Sequence, residues 1–258
     1  MMICLKTIFK PLSCMMLLLM SAGLHASNPV IVFNQKDELK NISSSLQYLE
    51  DRERSFTIAS VQSKEFTLTK NRVPNLGFSN SAYWIKIPIT NNSNSADLFL
   101  ELSLPILDNI EFYSPAQNNS FTLVKTGQEF PFHMREHQDP NYLFDINIPH
   151  GETRIFYLKI RSTDAIQLPM KIGTKSAIYA QVKNRDILSG IYVGIMLVML
   201  FYNLFIYIST KDRSYIYYVV YVLLVLLTQT CLEGYPYQYL WPSKPIIAKY
   251  SMFVFPSL

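Results

Sequence analysis

The chain has 258 residues, with 23 Lys+Arg against 19 Asp+Glu and a charged fraction of only 16%, where soluble domains carry about a quarter. The shortage concentrates in 11–28, 187–208 and 214–232, while the stretch between the first and second of these has an ordinary soluble composition. A near-neutral balance without a basic cluster excludes nucleic acid as a partner, and the mosaic excludes one uniform soluble domain.

Lys6 and Lys10 precede an apolar run over 14–20, and the small residues Ser21, Ala22, Gly23 and Ala26 follow it. That order predicts a signal peptide over 1–26, cleaved after Ala26. The run is too short to cross about 30 Å of hydrocarbon at about 1.5 Å per residue. Cleavage leaves Cys231 as the one cysteine, so no intrachain disulfide is expected.

The stretch 28–178 is long enough for one domain with its own core. It opens on a short strand over 30–33. Leu39, Ile42, Leu46 and Leu49 then recur at helical spacing behind Asp37, a suitable N-cap, and predict one early helix up to Glu50. Gly77 marks a turn. From 82–90 the period becomes two: Ile85, Ile87 and Ile89 share one face, Trp84, Lys86 and Pro88 the other. Pro88 argues for an edge strand or a bulge. Strands follow over 96–104, with Leu98, Leu100, Leu102 and Leu104 inward, and over 108–113, 120–125, 142–148, 153–161 and 166–172. Short strands at this spacing predict an antiparallel β-sandwich or jelly roll.

The segment 179–258 reads as the N-terminal part of a helical membrane domain. The runs 187–208 and 214–232 carry no charged side chain and are long enough to span. The link between them is so short that they form an antiparallel hairpin. Export of the preceding domain places Lys211 and Arg213 on the cytoplasmic side. Gly190 and Gly194 allow close helix packing, and Asn203 is expected to face another helix rather than lipid. The stretch 233–249, rich in Tyr, Trp and Pro, resembles an interfacial loop. A third span begins near 246–258 and stops short, so the chain is expected to be truncated.

No catalytic constellation is expected. His133 and His137 lie between Pro131 and Pro140 and read as solvated loop histidines, not metal ligands, so neither metal nor cofactor is assigned. For ligand binding, Trp84 offers a face that can stack on a sugar ring or plug the core. Asp108, Arg135 and Arg161 can recognise a small polar ligand or pair among themselves.

The series 76–87 (LGFSNSAYWIKI), closed by Asn91, together with 104–113 (LPILDNIEFY), Thr126-Gly127, Pro131, Arg135 and the turn 211–218 (KDRSYIYY), resembles the bacterial seven-transmembrane receptors with diverse intracellular signalling modules (7TMR-DISM), in the branch with the type 2 extracellular domain. The resemblance implies a jelly-roll sensor related to carbohydrate-binding modules, exported across the inner membrane ahead of seven helices. It also implies a cytoplasmic output module, such as a histidine kinase or diguanylate cyclase. The expected function is a membrane sensory receptor whose exported domain binds a small ligand, a carbohydrate among the candidates, and signals through its helices. The alternative is a membrane-anchored adhesion protein whose sandwich docks a partner or cell-wall polymer. Reporter fusions test the topology: phosphatase activity is expected near Trp241 and none at Lys211, and the reverse pattern would overturn it.

Overall fold

The computed structural model describes residues 30–257, apart from 70 and 117–119. The signal peptide expected over 1–26 lies outside the described residues. Two sheets face each other across one core. The larger contains β3 (Gln47–Asp51), β4 (Thr67–Leu68), β6 (Ala82–Asn92), β8 (Asn109–Pro115), β9 (Phe121–Thr126) and β11 (Thr153–Arg161) in the order β4-β3-β6-β11-β8-β9. Here β1 (Ile31–Asn34) joins parallel to β6. The smaller contains β2 (Leu39–Asn41), β7 (Asp97–Leu102), β10 (Tyr142–Asn147) and β13 (Met170–Thr174) in the order β10-β7-β13-β2. A two-stranded ribbon pairs β5 (Asn75–Gly77) with β12 (Ile166–Gln167).

The period-two reading of the strands holds because alternate side chains meet between the sheets. Ile85, Ile87 and Ile89 of β6 share the core with Leu98, Leu100 and Leu102 of β7, and with Phe112, Phe144 and Phe156, whose rings stack. Pro88 lies in an interior strand, contrary to the edge or bulge expected. On one side it faces Ile155; on the other, the pairing with β3 ends at Lys86 and that with β1 begins at Ile89. The residue with no N–H sits at the junction of two partner strands. The strand predicted over 166–172 is split in two by Leu168 and Pro169, whose backbone groups bond to Pro74 and Ser103 instead.

The helix predicted up to Glu50 does not form. Its apolar residues are shared between layers: β2 pairs with the smaller sheet, β3 with the larger, and a 3-10 turn over Ser43–Ser45 carries the chain between them. Ile42 and Leu46 enter the common core, whereas Leu49 packs on the outer face of the larger sheet. Serine hydroxyls compete for backbone groups and weaken a helix. Ser43 Oγ does so by accepting from Met170 N–H at 2.8 Å. The first α-helix among the described residues is α1 (Ile58–Val61), a single turn capped by Thr57.

α2 (Lys175–Thr210) begins at the residue after β13. Its 36 residues rise roughly 54 Å, well beyond about 30 Å of hydrocarbon, so its first turns stand outside the apolar layer. Lys211, in the left-handed region at φ 58°, ends it, and Asp212 caps α3 (Arg213–Leu232) by accepting from Ser214 N–H at 2.9 Å. α2 and α3 pack as the predicted hairpin and are the two described helices long and apolar enough to cross a membrane. Asn203 does not need another helix: its amide donates to Met199 O at 2.8 Å in its own. α4 (Tyr235–Tyr239) and α5 (Pro245–Ser257) follow, and α5 packs on α3.

Phe112→Ala should destabilise the β-domain by about 3–5 kcal/mol, because it empties the stack at the centre of the core. Ile155→Ala, at 37% exposure, should cost under about 0.5 kcal/mol. Denaturant unfolding of the segment 28–178 measures both, and equal costs would contradict the core assignment.

Candidate functional site

Two regions carry functional potential: the outer face of the larger sheet, and the junction where the β-domain meets the helices. On the outer face Trp84 is fully buried beneath Phe56, Ile58, Val61 and Phe66, beside Tyr157. Its ring stacks on Tyr113 at 5.4 Å, and the Lys159 ammonium sits over it at 5.2 Å. The ring presents no face to solvent for a sugar. Next to it, Arg54, Ala82, Asn109, Glu111, Lys159 and Arg161 line an open pocket of about 280 Å³. Arg161 pairs with Glu129 at 3.0 Å, and both remain exposed enough to exchange partners. A second pocket of about 570 Å³, lined by Phe121, Tyr157, Arg154 and Gln62 among others, opens on the same sheet.

The junction holds the other two sequence-predicted residues. Gly127, at φ 133°, lets the chain pass so close to Asp108 that a Cβ would lie 2.1 Å from its carbonyl oxygen. The loop that follows turns Arg135 inward. Its guanidinium donates to Asp139 O at 2.8 Å, Pro140 O at 2.7 Å and Tyr142 Oη at 3.3 Å, and lies against the rings of Phe132, Tyr142 and Tyr237. Burial pushes the Tyr142 hydroxyl up to about 12, against the opposing charge of Arg135. Arg135 is therefore a structural cation that organises this loop.

Asp108 accepts from Thr163 N–H and Oγ1, both at 2.8 Å, and pairs at 2.9 Å with Lys249 of α5. Burial pushes its carboxyl up, but the Thr163 and Lys249 contacts outweigh burial and hold it below the usual carboxylate range. The neighbouring Asp164 moves the other way, raised by burial and by the Asp108 charge. Asp108 and Arg135 thus serve contacts with the helices, and the four predicted residues do not converge on one pocket.

Sequence reasoning missed the partners from the helices. Arg185 of α2 donates two parallel bonds to the Asp139 carboxylate, at 3.1 and 2.8 Å. Tyr237 Oη donates to Phe130 O, and Phe132 N–H donates to Pro242 O at 2.8 Å. On the outer face of the smaller sheet, Phe99 and Leu143 pack against Ile178 and Val182 of α2. Glu101, fully buried, accepts from Ser103, Asn141 and Gln181 of α2 at 2.9, 2.9 and 3.0 Å. The available signal was Glu101 itself, a charge on the strand face opposite the leucines. His137 is likewise not a free loop histidine: its Nε2 lies 2.6 Å from Asp145 Oδ2.

Comparison with known proteins gives two family matches in series: 7TMR-DISM extracellular 2 over residues 43–174 and 7TM diverse intracellular signalling over residues 185–258. No curated protein matches the chain. Among solved structures, the chain resembles the insecticidal crystal protein Cry2Aa at 10% identity, covering 57% of this chain and 23% of that one, with a TM-score of 0.28. It also resembles a GH31 α-xylosidase from Xanthomonas citri at 9% identity, with coverage of 54% and 18% and a TM-score of 0.23. Scores this low carry no argument about fold or activity.

The junction yields two expected outcomes. A double-mutant cycle on Asp139→Ala and Arg185→Ala should return a coupling of about 1–3 kcal/mol in thermal unfolding of the detergent-solubilised chain; additive effects would contradict a working pair. The depressed carboxyl of Asp108 gives a stabilising contribution present above roughly pH 4 and lost as pH falls through its folded value. Trp241, packed at this junction with Phe132 and Tyr237, should shift its emission to the red over that acid range. Asp108→Asn should produce much of the shift at neutral pH.

Proposed function

The chain belongs to the 7TMR-DISM family, as a membrane receptor with an extracellular β-domain ahead of its helices, and on that premise we propose that the β-domain binds a small ligand and transmits the event through α2. The reading rests on the direct passage of β13 into α2. The helix has no Gly or Pro before Gly190, so a shift of the smaller sheet is carried stiffly along it, where a Gly/Ser linker would absorb it.

The ligand is a small polar molecule, a carbohydrate or carboxylated sugar among the candidates. It is received on the outer face of the larger sheet by Arg54, Lys159 and Arg161, with Asn109 as a further polar contact. Trp84 takes part from below, by holding Lys159. For binding to signal, the ligand must favour one of two junction arrangements, and each tenfold shift in their ratio needs about 1.4 kcal/mol of differential affinity. A cytoplasmic module of the histidine kinase or diguanylate cyclase kind then reads the displacement across the inner membrane.

Inserting Gly-Ser after Lys183 rotates the rest of α2 by roughly 200° relative to the sheet and separates Arg185 from Asp139. Ligand affinity of the β-domain should survive, while the response of a receptor carrying the insertion is lost. An unchanged response would make α2 a tether and favour the adhesion reading.

A further inference from the structure

Among the described residues, one cluster outside the pocket combines nitrogen and oxygen ligand atoms. Glu136, His137 and Asp145 each offer a ligand atom, and these atoms all lie within 4.8 Å of one another. His137 and Asp145 are partly buried, and Glu136 is exposed. Asp145 projects from β10 and His137 from the loop that Arg135 organises, with its ring edge-on to Phe99 at 4.8 Å. That packing fixes the imidazole with Nε2 toward the carboxylate. On its other side, Asp145 Oδ1 accepts from the ammonium of Lys175, the first residue of α2. Burial pushes the Asp145 carboxyl up, but Lys175 and His137 together hold it below its usual range.

We propose that Glu136, His137 and Asp145 bind a divalent transition-metal ion of the zinc type, and that the ion competes with Lys175 for Asp145. One imidazole with two carboxylates suits zinc, cobalt or manganese better than calcium or magnesium, which take all-oxygen sets. Ligand atoms around tetrahedral zinc, at bonds of about 2.0 Å, stand roughly 3.3 Å apart. His137 Nε2 and Asp145 Oδ2, now 2.6 Å apart, must part slightly to admit the ion between them. Glu136 is free to swing inward. A dication on Asp145 removes most of the attraction that holds Lys175, which also lies over the Phe99 ring at 5.0 Å. Binding therefore loosens the first turn of α2 from the sheet. Coordination itself is independent of the ligand pocket; only its consequence for signalling rests on the receptor reading.

The test titrates Zn²⁺ alone into the detergent-solubilised chain by calorimetry, with Mg²⁺ and Ca²⁺ as comparisons. Acetylation of Lys175 is followed by mass spectrometry in parallel. One Zn²⁺ per chain is expected, weakened more than about tenfold by His137→Ala and Asp145→Asn and to a lesser degree by Glu136→Gln. The last change is on the surface and leaves folding intact. Zn²⁺ should also speed Lys175 acetylation in the parent chain and not in His137→Ala. No Zn²⁺ binding, binding that survives both His137→Ala and Glu136→Gln, or equal binding of Mg²⁺ would overturn the site. Binding without a change at Lys175 would overturn the competition.

Discussion

The structure depends above all on the absence of any linker between β13 and α2. Thr174 ends a strand paired to β7, and its side chain caps the helix by accepting from Ala177 N–H. A helix started this way has its direction fixed by the sheet, and its first three turns must then find partners on the sheet's outer face. They do so through Phe99, Leu143, Ile178 and Val182, and through Glu101, whose buried carboxylate is satisfied partly by Gln181 of the helix. A buried anion without partners would cost several kcal/mol. Glu101 thus ties the position of α2 to the register of β7.

The charges at this boundary follow one pattern. The β-domain supplies carboxylates, Asp108, Asp139 and Asp145, and the helices supply the cations that meet them, Lys249, Arg185 and Lys175. The Arg185 pair combines a bidentate fork with partial burial, so it specifies orientation as well as attraction. The single-point contacts of Lys175 and Lys249 are more readily exchanged. The charged contacts of the boundary therefore combine one directional pair with two exchangeable ones. Arg135 stabilises the loop that presents Asp139, through two backbone carbonyls and three aromatic rings. One of those rings, Tyr237, belongs to α4, so Arg135 also touches the helices directly.

Much of the architecture was legible in the residues. Strands such as β6 and β7 alternate so regularly that their inward faces could be named, and the uncharged runs of α2 and α3 were unambiguous because the bilayer imposes length and polarity directly on sequence. Leu39, Ile42, Leu46 and Leu49 misled because two strands on different sheets, joined by a turn, can place apolar residues at helical intervals by accident. Pro88 misled for a related reason: the rule against proline in interior strands assumes a continuous neighbour, and here the neighbour changes at that residue.

The sequence by itself determined the order of parts, a β-rich region followed by membrane helices, since hydrophobic period and run length are local properties. Only the tertiary structure decided what the polar residues do. Trp84 went under a roof contributed by α1 and its flanking loops, Arg135 turned inward, and Asp108 met Lys249 from a helix far along the chain. Arg161 lines the pocket on the outer face of the larger sheet. Such pairings depend on which distant segment arrives opposite a side chain, and that follows from sheet register and from the direction in which β13 launches α2, neither of which any local pattern encodes.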